Sequence, residues 1–119
     1  PQDLGSHKCL TFSDTSQRVS WRFTHDGGAL DAPVRGPLQC NSLTIMRTAA
    51  LAGLGISRLP TYVIGQDLKE GRLVEVLAGQ HPDAVPVYAV FPTTQQMSPK
   101  VRVFIDFMVA TLAEMDATM

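Results

Sequence analysis

One apolar stripe near the C-terminus constrains this chain more than any other feature. Ser98-Pro99-Lys100 opens a predicted helix on which Val101, Phe104, Ile105, Met108, Leu112 and Met115 recur at steps of three and four. That spacing gathers them on one face, while Lys100, Arg102, Asp106, Thr111 and Glu114 fall largely outside it. Ser98 is placed to cap the open N–H groups, and Pro99 takes the first helical position, where its missing N–H costs nothing. Such a face must be buried against something. Leaving it wet costs several kcal/mol at about 25 cal/mol per Å² of apolar surface. Little else in 119 residues supplies an obvious partner surface. The expectation is a longer parent chain.

Upstream, segments of two periodicities alternate. Residues 8–13 predict a short strand, and 19–24 a second one, with Val19, Trp21 and Phe23 on one face and Ser20, Arg22 and Thr24 on the other. Asp26-Gly27-Gly28 marks a turn. The extended stretch 29–40 carries Pro33 and Pro37, which cannot donate to a ladder, so an edge or broken strand is expected. Asn41-Ser42 should cap a helix over 43–54, with Gly55 as its left-handed stop. A short strand at 56–59, a brief helix at 61–68 ending near Gly71, and strands at 73–77 and 85–91 complete the pass. The last of these is apolar enough to be buried on both faces. Strand and helix alternating from residue 35 onward predict an α/β fold with parallel neighbours.

Several functional classes find no support. A formal charge of −1 gives no electrostatic case for nucleic acid or an anionic membrane as partner. No apolar run approaches the ~20 residues of a membrane span. Cys9 and Cys40 lie in predicted strands as buried thiols rather than a disulfide, and no signal segment opens the chain, so a cytoplasmic setting is expected. His7, His25 and His81 stand apart, with no metal-ligand spacing. Gly53-Leu54-Gly55 falls at a helix C-terminus, where carbonyls repel phosphate. Asp67, Glu70 and Glu75 surround a turn and suit a solvated rim. An enzyme is not expected, nor a cofactor or a resident metal.

One positive feature remains. Asn41 and Ser42 stand at a helix N-terminus after an extended segment, where open N–H groups and the helix dipole favour a polar or anionic group. The same pair also serves as a plain cap without any ligand. The loop Ser13-Asp14-Thr15-Ser16 follows the first strand and either lines the same crevice or is a surface connection. Trp21 and Phe23 suit sheet core, or else the aromatic wall of a crevice.

The order of motifs is more specific than any one of them. Asp3-Leu4-Gly5-Ser6-His7-Lys8-Cys9-Leu10-Thr11-Phe12 and Trp21-Arg22-Phe23 resemble the opening of the second half of the effector domain of LysR-type transcriptional regulators. Ala49-Ala50-Leu51-Ala52-Gly53-Leu54-Gly55-Ile56-Ser57-Arg58-Leu59-Pro60 is similar to the most diagnostic block of that family. Asp67-Leu68-Lys69-Glu70-Gly71-Arg72-Leu73-Val74-Glu75-Val76-Leu77 and Pro86-Val87-Tyr88-Ala89-Val90-Phe91-Pro92 follow in family order, then Ser98-Pro99-Lys100-Val101-Arg102-Val103-Phe104-Ile105-Asp106-Phe107.

The resemblance implies a lobe of type II periplasmic-binding-protein-like fold, with a mixed, mostly parallel sheet flanked by helices. Residues 1–90 would form the second lobe of an effector-binding domain, and 91–119 the segment returning to the first. A small polar or anionic effector would bind between the lobes, contacted from this lobe by Phe12, Ser13 and Asp14 and, on weaker grounds, by Asn41 and Ser42. The family carries a winged helix-turn-helix upstream, so DNA would be a partner only through a domain absent from these residues. The parent is expected to be a homo-oligomer, and the lone chain to cover its final helix by self-association or by folding it back. Two other readings share the architecture or its exposed helix: a transport-type solute-binding half-domain and a stand-alone protein-interaction module.

Overall fold

A computed structural model of the chain describes residues 1–13, 18–81, 84, 86–92 and 98–118. The chain divides into two compact units, Pro1–Asp83 and Ala84–Met119.

In the first unit a short 3-10 turn, Gln2–Ser6, precedes strand β1, Cys9–Phe12. Strands β2 (Val19–His25) and β3 (Gly28–Val34) form an antiparallel hairpin. Asp26 and Gly27 join them with φ of 50° and 75°, so the Asp-Gly signal yields a two-residue turn with both central residues left-handed. Strand β4 (Leu38–Cys40) follows, then helix α1 (Leu43–Leu51), strand β5 (Ile56–Ser57) and helix α2 (Thr61–Lys69). The sheet runs β4-β1-β5, parallel throughout. The expected mixed sheet is therefore two sheets, one parallel and one a separate hairpin. The stretch 29–40 is broken between its two prolines, as their missing donors demand.

The parallel sheet has a different cover on each face. Cys9 clusters with Leu4, Trp21, Phe23, Ala32 and Val34, so the hairpin lies over one face. Val19, Trp21 and Phe23 point inward while Arg22 pairs across the strands with Asp31 on the exposed side. Trp21 and Phe23 are thus core, and Arg58 stacks over the Phe23 ring at 5.9 Å. Leu10 alternates to the opposite face, where α1 packs on β1 and buries Met46. Burial pushes the Cys9 thiol pKa up.

Several boundaries differ from expectation. Helix α1 ends at Leu51, and Gly53 rather than Gly55 takes the left-handed conformation, with φ of 78°. Gly55 serves close approach instead, since a Cβ there would lie 2.5 Å from the Lys8 carbonyl oxygen. Residues 73–77 form no strand. The N–H groups of Arg72 and Leu73 both donate to the Asp67 carbonyl, closing α2, and Leu77 sits at φ 56°, which no strand tolerates. Leu77 instead packs against the hairpin core, and Gln80 accepts the Thr24 N–H on the free edge of β2.

Asp67 corrects the expectation of a solvated rim. It is 1% exposed and bonded to Arg47 on α1 and to Arg72 beyond α2.

In the second unit, residues 86–91 form no strand, and Val85 lies outside the described residues. Val87, Tyr88 and Val90 are strongly exposed rather than buried on both faces. Among the described residues no neighbouring strand accepts their backbone groups, and an apolar run alone cannot make a ladder. Helix α3, Pro99–Thr118, forms where expected, with the Val101 N–H on Ser98 Oγ at 3.4 Å. Of its stripe, Val101, Phe104, Leu112 and Met115 are exposed and Ile105 and Met108 half-buried.

Candidate functional site

Parallel strands place their carboxyl ends side by side, and here two candidate segments meet at such a pair of ends. Phe12 is in register with Cys40, and one residue further the Ser13 N–H donates to the Cys40 carbonyl at 2.9 Å. The chain after β1 and the chain after β4 are therefore joined by a backbone hydrogen bond. Phe12 and Ser13 lie on one side of it, Asn41 and Ser42 on the other.

Ser42 is extended, with φ −121° and ψ 115°, and its Oγ accepts the Ile45 N–H at 3.3 Å. Its carbonyl accepts the Met46 N–H and starts the helical ladder. The cap thus satisfies one early donor, while helix geometry leaves the Leu43 and Thr44 N–H groups without intrahelical acceptors. The first turn of α1 holds no acidic residue to offset the positive end of the dipole. Phe12 and Ile45, on the two converging elements, are 51% and 53% exposed. Large apolar side chains thus stand in solvent beside open backbone donors. The arrangement suits a ligand with a polar or anionic head and an apolar body.

Of the expected contact residues, the structure brings Phe12, Ser13, Asn41 and Ser42 together, and Asp14 lies outside the described residues, with Thr15 and Ser16. The sequence reading missed Ile45 and Cys40. The thiol of Cys40 lies 3.6 Å from the Ser42 carbonyl oxygen at the same corner. Position i+3 from the cap was the available signal for Ile45. Among the described residues no group of three or more His, Cys, Asp or Glu side chains is placed to hold a metal ion, and no helix is long and apolar enough to cross a membrane.

Comparison with known proteins gives a consistent result. Residues 1–113 match the family model described as the LysR substrate binding domain. The chain is 34% identical over 116 residues to the HTH-type transcriptional regulator YhjC of Escherichia coli (strain K12), covering 96% of this chain and 39% of that protein. It is 30% identical over 112 residues to the HTH-type transcriptional regulator CrgA of Neisseria meningitidis serogroup C (strain 8013), covering 93% of this chain and 37% of that one. The structure of the CrgA regulatory domain, a LysR-type transcriptional regulator from Neisseria meningitidis, superposes with a TM-score of 0.74 at 30% identity, over 92% of this chain and 56% of that one. The chain therefore spans well under half the length of these two curated relatives.

Proposed function

The chain belongs to the family of LysR substrate-binding domains, and on that premise we propose that it senses a small polar or anionic effector on behalf of a transcriptional regulator. Its α/β architecture is that of LysR regulatory domains, which have the periplasmic-binding-protein-like fold. The relatives are regulators, which favours this reading over a transport-type binding protein or an enzyme.

The observation that carries the proposal is the 2.9 Å bond from the Ser13 N–H to the Cys40 carbonyl. It sets Phe12 and Ser13 beside Asn41 and Ser42 at the carboxyl ends of β1 and β4, the edge at which open α/β sheets receive ligands. Asp14 completes the set by its place in the sequence. Residues 1–90 act as the second lobe of the effector domain and 91–119 as the segment returning to the first. An effector held between lobes favours one relative lobe arrangement by its differential affinity, and that bias reaches DNA through the regulator's helix-turn-helix. In the parent, the exposed stripe of α3 is the face that the first lobe covers, and a homo-oligomeric assembly of that parent follows from the family it belongs to.

Calorimetry on the full-length regulator tests the site. Ser13→Ala and Ser42→Ala should each weaken the effector, and affinity unchanged in both removes the site from these residues. Light scattering tests the assembly, where a strict monomer would refute it.

A further inference from the structure

A cavity of about 190 Å³ lies apart from that corner, and its lining includes Thr11, Arg18, Val19, Val34, Arg35 and Gln39. Its position follows from two registers. Val19 pairs with Val34 at the open end of the hairpin, and Thr11 pairs with Gln39 across β1 and β4. The cavity sits where that open end meets the parallel sheet. Arg18 immediately precedes Val19 and Arg35 immediately follows Val34, so the pairing brings two arginines to facing positions just beyond the last rung. Neither takes part in an ion pair among the described residues. Both arginines are exposed and lie just outside the ladder, where two nearby cations together draw an anion.

We infer that this cavity binds a small carboxylate with a short aliphatic body. Two guanidinium groups offer the planar, forked donors that match a carboxylate. Thr11, only 4% exposed, supplies a buried polar lining and Gln39 an exposed one, while Val19 and Val34 give the aliphatic wall. The volume falls below the ~300–1,000 Å³ of pockets for drug-sized ligands, which limits the occupant to a few carbons. The cavity is separate from the effector corner. Thr11 and Gln39 alternate to the opposite sheet face from Phe12 and Cys40.

Titration calorimetry of the chain with pentanoate, pentanamide and inorganic phosphate tests this. Pentanoate should bind saturably, and pentanamide about tenfold more weakly or worse, since only the charged head engages the arginines. Arg18→Gln and Arg35→Gln should each weaken pentanoate about tenfold. Arg22→Gln, which removes an exposed cation on the outer face of the hairpin, should change it less than about twofold. Absence of pentanoate binding, equal affinity for pentanamide, or both pocket variants retaining the original affinity would overturn the inference. Phosphate binding as tightly as pentanoate would overturn the assignment to an aliphatic carboxylate.

Discussion

Arg47 on α1 and Asp67 on α2 form a two-pronged ion pair, with Nε to Oδ2 at 2.6 Å and Nη2 to Oδ1 at 2.8 Å. Arg72 adds two bonds to Oδ1 from the turn beyond α2, at 3.0 and 2.8 Å. Through its carbonyl, the same aspartate also takes the N–H groups of Arg72 and Leu73. One side chain, 1% exposed, thus ties both helices of the first unit and the chain leaving them. Surface ion pairs contribute little, but here the carboxylate is buried while Arg47 and Arg72 stay partly exposed, so the cost of losing the charge falls on the hydrogen bonds it accepts.

Asp67→Asn keeps the size and removes the charge, leaving two guanidinium groups facing a neutral amide. The folded-to-unfolded ratio should fall by about tenfold or more, because hydrogen bonds to charged groups count for more than neutral ones. Urea denaturation of the chain and the variant measures this directly. An unchanged midpoint would show that the network is incidental.

The same carboxylate sets an acid limit. Hydrogen bonds from Arg47 hold its pKa down at about 2 against the opposing effect of burial, with Arg72 assisting. In the unfolded chain an aspartate titrates near ~3.9. A group whose folded pKa is depressed stabilises fully above the unfolded value and loses that contribution as pH falls through the folded one. Stability should therefore decline from about pH 4 to about pH 2. Asp67→Asn should flatten the decline, and urea midpoints measured across that range read the difference. Parallel curves for the two proteins would assign the acid sensitivity elsewhere.

How much of this was legible beforehand depends on what each signal needs. The hairpin was readable because Val19, Trp21 and Phe23 alternate and Asp26-Gly27 admits one tight turn, both local facts. The effector corner was readable in part, since Ser42 announces a cap and Phe12 ends a strand. That Ser13 bonds to Cys40 depends on β1 pairing with β4 across the whole hairpin, which no local pattern states. Asp67 looked like a turn residue because Lys69 and Glu70 are charged and Gly71 signals a helix stop, and its partner Arg47 is twenty positions away. The predicted strand at 73–77 failed for a related reason. Alternation in Leu73-Val74-Glu75-Val76 is real, but Asp67 claims the N–H groups that would start a ladder and Leu77 turns left-handed.

Gly36 and Gly5 make a matched pair for testing close packing. A Cβ at Gly36 would lie 2.0 Å from the Cys9 carbonyl oxygen and 2.6 Å from its N, whereas at Gly5 nothing lies within 4 Å. The obstacle at Gly36 is backbone of a buried central strand, which cannot step aside as a side chain would. Gly36→Ala should cost at least the about 1–3 kcal/mol of an overpacked core, and Gly5→Ala should be near neutral. Thermal unfolding of the two variants checks this. Equal melting temperatures would mean that β1 yields.

Ser42 carries two roles that substitution can separate. As a cap it accepts the Ile45 N–H at 3.3 Å, and Ser42→Ala should destabilise the chain by about 1 kcal/mol. Ser42→Asp preserves the acceptor and favours the positive helix end, so stability should hold or rise slightly. The added charge sits where an anionic head group would approach the open Leu43 and Thr44 donors. If the effector of the full-length regulator is anionic, Ser42→Asp should weaken it more than Ser42→Ala does, although the aspartate variant is the more stable. A cap with no part in binding predicts that effector affinity merely follows stability, with the alanine variant the poorer binder. Calorimetry and urea denaturation on both variants separate these outcomes, because the expected orders of affinity and of stability are opposite.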